Sequence, residues 1–186
     1  MAYYYYPEVV PKKECKKFLN TCLQESNFCD GTIGTEAKLT KKRKNHVSFL
    51  EDKENMMRDM LWGFIRNANE QLFNYELSYF QPLQFSRYEY GEYYGWHQDS
   101  IIKGKERKET RKLSLSFNLT DHENYEGGYL EFYNGGDRVF NRKLREKMKL
   151  VGSVIVFDSR DWHRVTPVKK GVRYSIVCWT VGPKFI

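Results

Sequence analysis

His97-Gln-Asp99 places an imidazole and a carboxylate two residues apart, within Tyr94-Gly-Trp-His97-Gln-Asp99-Ser. On a strand, residues i and i+2 share a face, so both groups can reach one ion; on a helix they would diverge. A second imidazole stands far downstream in Asp161-Trp-His163-Arg-Val. Two His and one carboxylate form a facial ligand set that leaves positions open on a metal and suits non-heme Fe(II). An HxD pair alone arises easily by chance in a chain with four histidines, so its meaning depends on its surroundings. The bland alternative is a surface His97 and a core His163.

Gly171-Val-Arg173-Tyr-Ser175-Ile-Val-Cys-Trp179 reads as a strand. Period two puts Arg173, Ser175 and Trp179 on one face, and Tyr174, Ile176 and Cys178 on the other. An Arg in an otherwise apolar strand is costly to bury unpaired, and its fork binds a carboxylate bidentately. The strand carries no acidic residue, so a ligand carboxylate is a sensible partner; a salt bridge from a neighbouring strand is the alternative. Leu113-Ser-Leu-Ser-Phe-Asn-Leu119 alternates strictly. If Leu113, Leu115, Phe117 and Leu119 pack on helices, then Ser114, Ser116 and Asn118 line a small polar cavity.

These candidate residues need a frame to hold them. Pro11 to Ser26 reads as a helix, with Cys15, Phe18, Leu19, Cys22 and Leu23 at helical spacing. Residues 27–45 look loop-like and end in the basic run 38–44. Glu54 to Asn74 reads as a longer helix with a stripe of Met57, Met60, Leu61, Phe64, Ile65, Ala68 and Leu72. From about Glu76, short runs rich in Tyr, Phe, Val and Ser are punctuated by glycines. Strands are expected near 76–81, 84–90, 92–99, 111–120, 128–133, 137–142, 153–158, 163–166 and 171–181, the pattern of a sandwich or barrel. The expected fold is mainly β, one domain over 1–186, with a helical support layer over 1–75 and a β core over 76–182.

Composition narrows the class. The 186 residues, 16% of them aromatic, can build a core without staples. No apolar run approaches the roughly 20 residues that span a bilayer, and the start lacks the regions of a signal peptide. A cytoplasmic protein, or one in the host cytoplasm if viral, is expected. Cys15, Cys22, Cys29 and Cys178 form no CxxC pair, and reduced core residues are expected for Cys15 and Cys22. The net charge of +7 reads as a solvated surface before a phosphate-binding face, which makes nucleic acid the weaker partner.

Together the motifs resemble the Fe(II)/2-oxoglutarate dioxygenases, and among them the prolyl 4-hydroxylase-like group. Tyr88-Glu-Tyr-Gly91-Glu-Tyr-Tyr94-Gly-Trp-His97-Gln-Asp99 resembles the family's Y-x-x-G-x-x-(Y/F)-x-x-H-x-D segment. Tyr125-Glu-Gly-Gly128-Tyr-Leu130 resembles its Y-x-G-G-x-L turn, and Gly152-Ser-Val-Ile-Val-Phe157 the strand before the distal His. Arg173 follows His163 by ten residues, the spacing of bacterial PKHD-type hydroxylases.

The resemblance implies a double-stranded β-helix, or jelly roll, and iron on His97, Asp99 and His163. It implies 2-oxoglutarate on that iron, with its far carboxylate on Arg173 and help from Tyr88 and Ser175. Asn118 stands where related animal enzymes place a tyrosine that touches this carboxylate. Trp179 matches a tryptophan beside the site, and Tyr94, Trp96 and Arg111 join it as candidates for substrate contact. O2 is consumed, 2-oxoglutarate becomes succinate and CO2, a C–H bond is hydroxylated, and ascorbate serves as reductant. The expected partner is a proline-containing protein or peptide, handled by a monomer or homodimer. Hydroxylation of a free amino acid or small metabolite, nucleobase demethylation, and an inactive binding barrel are the competing readings. Residues 100–110 are the expected flap, with a solvated hairpin loop as the alternative.

Overall fold

Strands dominate the chain because its apolar residues recur with period two over much of its length. The computed structural model describes residues 2–31, 42–50, 55–100, 108–133, 135 and 138–185. Residues 101–107 of the expected flap (100–110) and 38–41 of the basic run (38–44) lie outside the described residues. In order the elements are β1 (Tyr3–Tyr6), α1 (Lys12–Glu25), β2 (Cys29–Asp30), β3 (Arg43–Lys44), β4 (His46–Leu50), α2 (Asn55–Ala68), β5 (Tyr79–Phe80), β6 (Leu83–Tyr88) and β7 (Tyr93–His97). There follow β8 (Glu109–Asn118), β9 (Tyr125–Gly127), β10 (Leu130–Phe132), α3 (Arg138–Met148), β11 (Val154–Asp158), β12 (His163–Val165), β13 (Val168–Gly171) and β14 (Arg173–Pro183).

The large antiparallel sheet runs β1-β11-β8-β14-β6-β4-β2, with β5 paired to β14. A smaller sheet runs β10-β12-β7-β3, and β13 pairs with β9. This is the jelly-roll arrangement. The outer face of the large sheet is apolar. Leu113, Leu115 and Phe117 of β8, Ile176 and Cys178 of β14, and Val154 and Val156 of β11 form one core with Cys15, Phe18, Met57, Leu61 and Ile65 of the helices. The strict alternation of β8 therefore leaves Ser114, Ser116 and Asn118 on the inner face, opposite Trp179, Val177 and Ser175 of β14. Leu115 is fully buried between sheet and helices. Leu115→Ala should cost about 2–5 kcal/mol of stability. Urea denaturation measures it, and a loss under about 1 kcal/mol would contradict the helix packing.

Three expectations need correction. Of the strand expected over 137–142, residues 138–142 are helical and open α3, and residue 137 lies outside the described residues. The run Arg-Val-Phe-Asn suggests a strand locally, but Arg142-Lys-Leu-Arg-Glu-Lys-Met148 extends it with good helix formers. Leu144 and Met148, one helical turn apart, bury against Leu130, Phe132, Ile155 and Phe157. The N-terminal layer is not purely helical either: β1 pairs with β11, β4 with β6, and β3 with β7. The second helix ends at Ala68 and gives way to a π-helical turn over Asn69–Phe73, which closes on Asn74 in a left-handed conformation.

Candidate active site

β7 ends at His97, and Asp99 lies just beyond it. The Asp99 and Ser100 amides both donate to Ser159 O at 2.9 Å, which ties the end of β7 to the loop between β11 and β12. In the smaller sheet His97 and His163 are directly opposed. Asp99 sits between their rings: Oδ1 is 3.6 Å from His97 Nε2 and Oδ2 is 3.4 Å from His163 Nε2. The three ligand atoms lie within 4.8 Å of one another, the one such cluster among the described residues.

The ring tautomers follow from the backbone. His97 Nδ1 faces Gly95 O at 2.8 Å and His163 Nδ1 faces Asp161 O at 2.9 Å. A carbonyl only accepts, so each Nδ1 carries a proton, and a neutral ring turns its Nε2 lone pair toward Asp99. Ser114 Oγ donates to Asp99 Oδ2 at 2.8 Å and fixes the carboxylate. Ligand atoms backed by such outer partners are the usual construction of a metal site. The donor set and the spacings fit a divalent ion with roughly 2.1 Å bonds, for which neighbouring ligands sit roughly 3 Å apart.

Charge in this cluster is set by burial and by mutual attraction. Burial, aided by the charge on His163, pushes the His97 imidazole down to about 3. Burial opposes ionisation of Asp99, yet His163 and His97 outweigh it and hold the carboxyl well below its usual range. Burial also opposes charge on His163, and Asp99 outweighs that in turn, raising its pKa. One carboxylate thus holds two imidazoles in a largely water-free place.

Tyr94 stacks on the His97 ring, with centroids 3.5 Å apart and planes at 11°. Strict alternation would put these residues, three apart, on opposite faces. A register shift between β7 and β12 changes that. Arg43 of β3 in turn lies over the Tyr94 ring at 4.5 Å.

Arg173 is 3% exposed and lies opposite Tyr88 in β6. Its Nη1 donates to Ser175 Oγ at 3.1 Å, and its guanidinium carbon is 5.8 Å from the centre of the Tyr88 ring. Among the described residues it has no carboxylate partner, unlike Arg87, Arg145, Arg160 and Arg164. Gly127 and Gly128 both have positive φ, and a Cβ at Gly128 would meet Arg173 Cδ at 3.0 Å. The glycine pair thus lets the β9–β10 turn close over the arginine. Asn118 sits at the same end of the cavity, fully buried, with its amide nitrogen turned to backbone carbonyls.

At the other end Arg111 lies 3.8 Å over the Trp179 ring and donates from Nε to Gln81 Oε1 at 2.7 Å. Burial lowers the pKa of Arg111, and Asp99 pushes it back up. Trp179 is opposite Ser114, and its indole N–H is buried without an acceptor.

The fold thus places His97, Asp99, His163, Tyr88, Arg173, Ser175, Asn118, Tyr94, Arg111 and Trp179 between the large sheet and the smaller one. Trp96 is the exception: it faces away from the metal cluster, edge-on to Tyr133 and beneath Arg164. Alternation from His97 predicts that outward direction. Ser114, Arg43 and Tyr125 belong to the surroundings without having been singled out as site residues. For Ser114 the polar side of β8 was the available signal. Burial raises the Tyr125 phenol's pKa, and Arg173 and Asn118 draw it back down, so its hydroxyl lies beside both.

The 2OG-Fe(II) oxygenase superfamily pattern matches residues 83–181, which span the triad, the polar strands and Arg173. The chain belongs to that superfamily and is a 2-oxoglutarate- and Fe(II)-dependent dioxygenase. It is similar to the PKHD-type hydroxylase tll1907 of Thermosynechococcus vestitus, 39% identical over 171 residues, covering 87% of this chain and 70% of that protein. A PKHD-type hydroxylase of Aliarcobacter butzleri is 32% identical over 184 residues, covering 93% and 75%. In fold it resembles a Trichoplax adhaerens prolyl hydroxylase bound to a hypoxia inducible factor peptide fragment, with TM-score 0.74, 17% identity and coverage of 96% and 82%. It also resembles the viral collagen prolyl hydroxylase of Paramecium Bursaria Chlorella virus-1 in its 2OG complex, with TM-score 0.68, 19% identity and coverage of 98% and 97%.

Proposed function

We propose that this dioxygenase hydroxylates a C–H bond of a prolyl residue in a protein or peptide, using His97, Asp99 and His163 as iron ligands and Arg173 as the anchor of 2-oxoglutarate. The observation that carries the reading is the buried Arg173 with no acidic partner among the described residues, on the inner face of the large sheet. A buried guanidinium without a counter-ion is costly, and a ligand carboxylate removes that cost. Bound iron supplies the oxidation, turning 2-oxoglutarate into succinate and CO2 as one oxygen atom enters the substrate.

The chain's own residues do the positioning. Tyr88 and Ser175 flank the arginine. Ser114 holds the Asp99 carboxylate in place. Tyr94 limits the swing of the His97 ring. Arg111, stacked over the Trp179 ring, closes the end of the site beside Asp99. The prolyl and peptide specificity draws support from the fold neighbours, one of which holds a peptide.

Succinate release tests the reading, with Fe(II), 2-oxoglutarate and ascorbate, against a proline-rich peptide, free proline and methylated DNA. Release stimulated by the peptide alone is expected. Stimulation by free proline or DNA would overturn the peptide reading, and absence of both metal binding and turnover would overturn the enzyme reading. Among the described residues no helix is long and apolar enough to cross a membrane.

A further inference from the structure

We infer that the phenol of Tyr125, and not the amide of Asn118, is the second group that binds the distal carboxylate of 2-oxoglutarate beside Arg173. The inference rests on the proposed role of Arg173 as anchor.

Asn118 is fully buried on the inner face of β8, opposite Ser175, where its amide would seem placed to help. Its donors are already engaged. Nδ2 donates to Thr120 O at 2.9 Å and Lys149 O at 3.0 Å, with Leu150 O at 3.4 Å. Turning the amide over would point Oδ1 at three carbonyl oxygens, so the network fixes its orientation. What Asn118 leaves free is Oδ1, buried and without a hydrogen-bond partner. That atom only accepts, and a carboxylate also only accepts. Asn118 is therefore a clamp between the end of β8 and the turn after α3.

Tyr125 supplies what Asn118 lacks. It is 7% exposed, opens β9, and pairs with Gly171 of β13, two residues before Arg173. Its hydroxyl lies beside both Arg173 and the Asn118 side chain. A phenol O–H rotates freely between acceptors. A carboxylate beside Arg173 gives that proton a charged acceptor, which makes the shorter and stronger bond. Arg173 and Tyr125 then donate to one carboxylate from two directions. The two glycines after Tyr125 permit the turn that delivers it.

The test is calorimetric binding to the full chain loaded with Mn(II), without oxygen, comparing 2-oxoglutarate with 2-oxobutanoate. The second acid keeps the 2-oxo carboxylate head and lacks the distal carboxylate. Tyr125→Phe should raise the Kd for 2-oxoglutarate about tenfold, the worth of one hydrogen bond to a charged group, and leave 2-oxobutanoate unchanged. An unchanged Kd for 2-oxoglutarate, with Arg173→Ala weakening it, overturns the inference and leaves the anchor standing. Equal weakening of both acids places the effect on the metal or the fold and also overturns it. If Arg173→Ala leaves the 2-oxoglutarate Kd unchanged, the anchor reading falls and Tyr125 falls with it.

Discussion

His163→Ala should abolish iron binding and with it all iron-dependent succinate release. The residue is 5% exposed, and its ring is held by Phe157 edge-on at 4.8 Å and by Phe132 at 5.9 Å. Nε2 therefore has one direction available, toward Asp99. Loss of an outer hydrogen-bond partner typically costs a metal site 10–100-fold; loss of one ligand in three exceeds that. The fold should survive, because the neighbouring apolar cluster of Phe132, Phe157, Leu144 and Ile155 is built without the histidine. Metal stoichiometry, succinate release and circular dichroism on one sample separate the cases. Retained turnover would remove His163 from the ligand set. Lost turnover with a lost fold would shift the test to His163→Gln, which keeps more of the side-chain volume.

The alternating strands made much of this legible. Leu113 to Leu119 alternate without interruption, and both faces of β8 lie where that pattern puts them. Arg173 and Ser175 share the inner face for the same reason. The His-Asp pair was legible for a slightly different cause than its spacing suggests. His97 ends its strand, and Asp99 reaches the ion because its amide is tied to Ser159 O, a contact across 60 residues that no local pattern reveals. Tyr94 shows the opposite limit, since a register shift brings it onto the His97 ring against strict alternation. Helix α3 was hidden because its first residues, Val139 and Phe140, favour strands locally, while Leu144 and Met148 announce a helix only over two turns. The pairing of β3 with β7 was illegible in principle: two residues of a basic segment carry no periodicity.

The cavity also explains why two ends of one strand do different work. β14 carries Arg173 and Ser175 at one end and Trp179 further along, all on the inner face, with Ser114 of β8 opposite Trp179. The metal cluster lies at the Trp179 end, where Ser114 meets Asp99. On the proposed roles, a ligand held on Arg173 and reaching an ion at the triad would lie along the strand. Its length is thereby selected, because a shorter acid reaches one end and not both. Arg111 over Trp179 closes the far side.

Arg173→Ala should raise the 2-oxoglutarate requirement about 100-fold while iron stoichiometry stays near that of the parent. Truncating one partner of a buried, hydrogen-bonded charge pair costs about 2–5 kcal/mol, and each 1.4 kcal/mol is tenfold in affinity. Arg173→Lys should fall between, since an ammonium keeps the charge and loses the bidentate fork. Iron should be spared because the Arg173 side chain contacts Ser175, Tyr88 and the Gly128 turn and not the triad. The variant should also lose its sense of length: its preference for 2-oxoglutarate over 2-oxobutanoate should collapse, since only the former has a second carboxylate to lose. An unchanged cosubstrate dependence would refute Arg173 as the anchor. A parallel fall in iron content would show that the arginine supports the metal cluster instead.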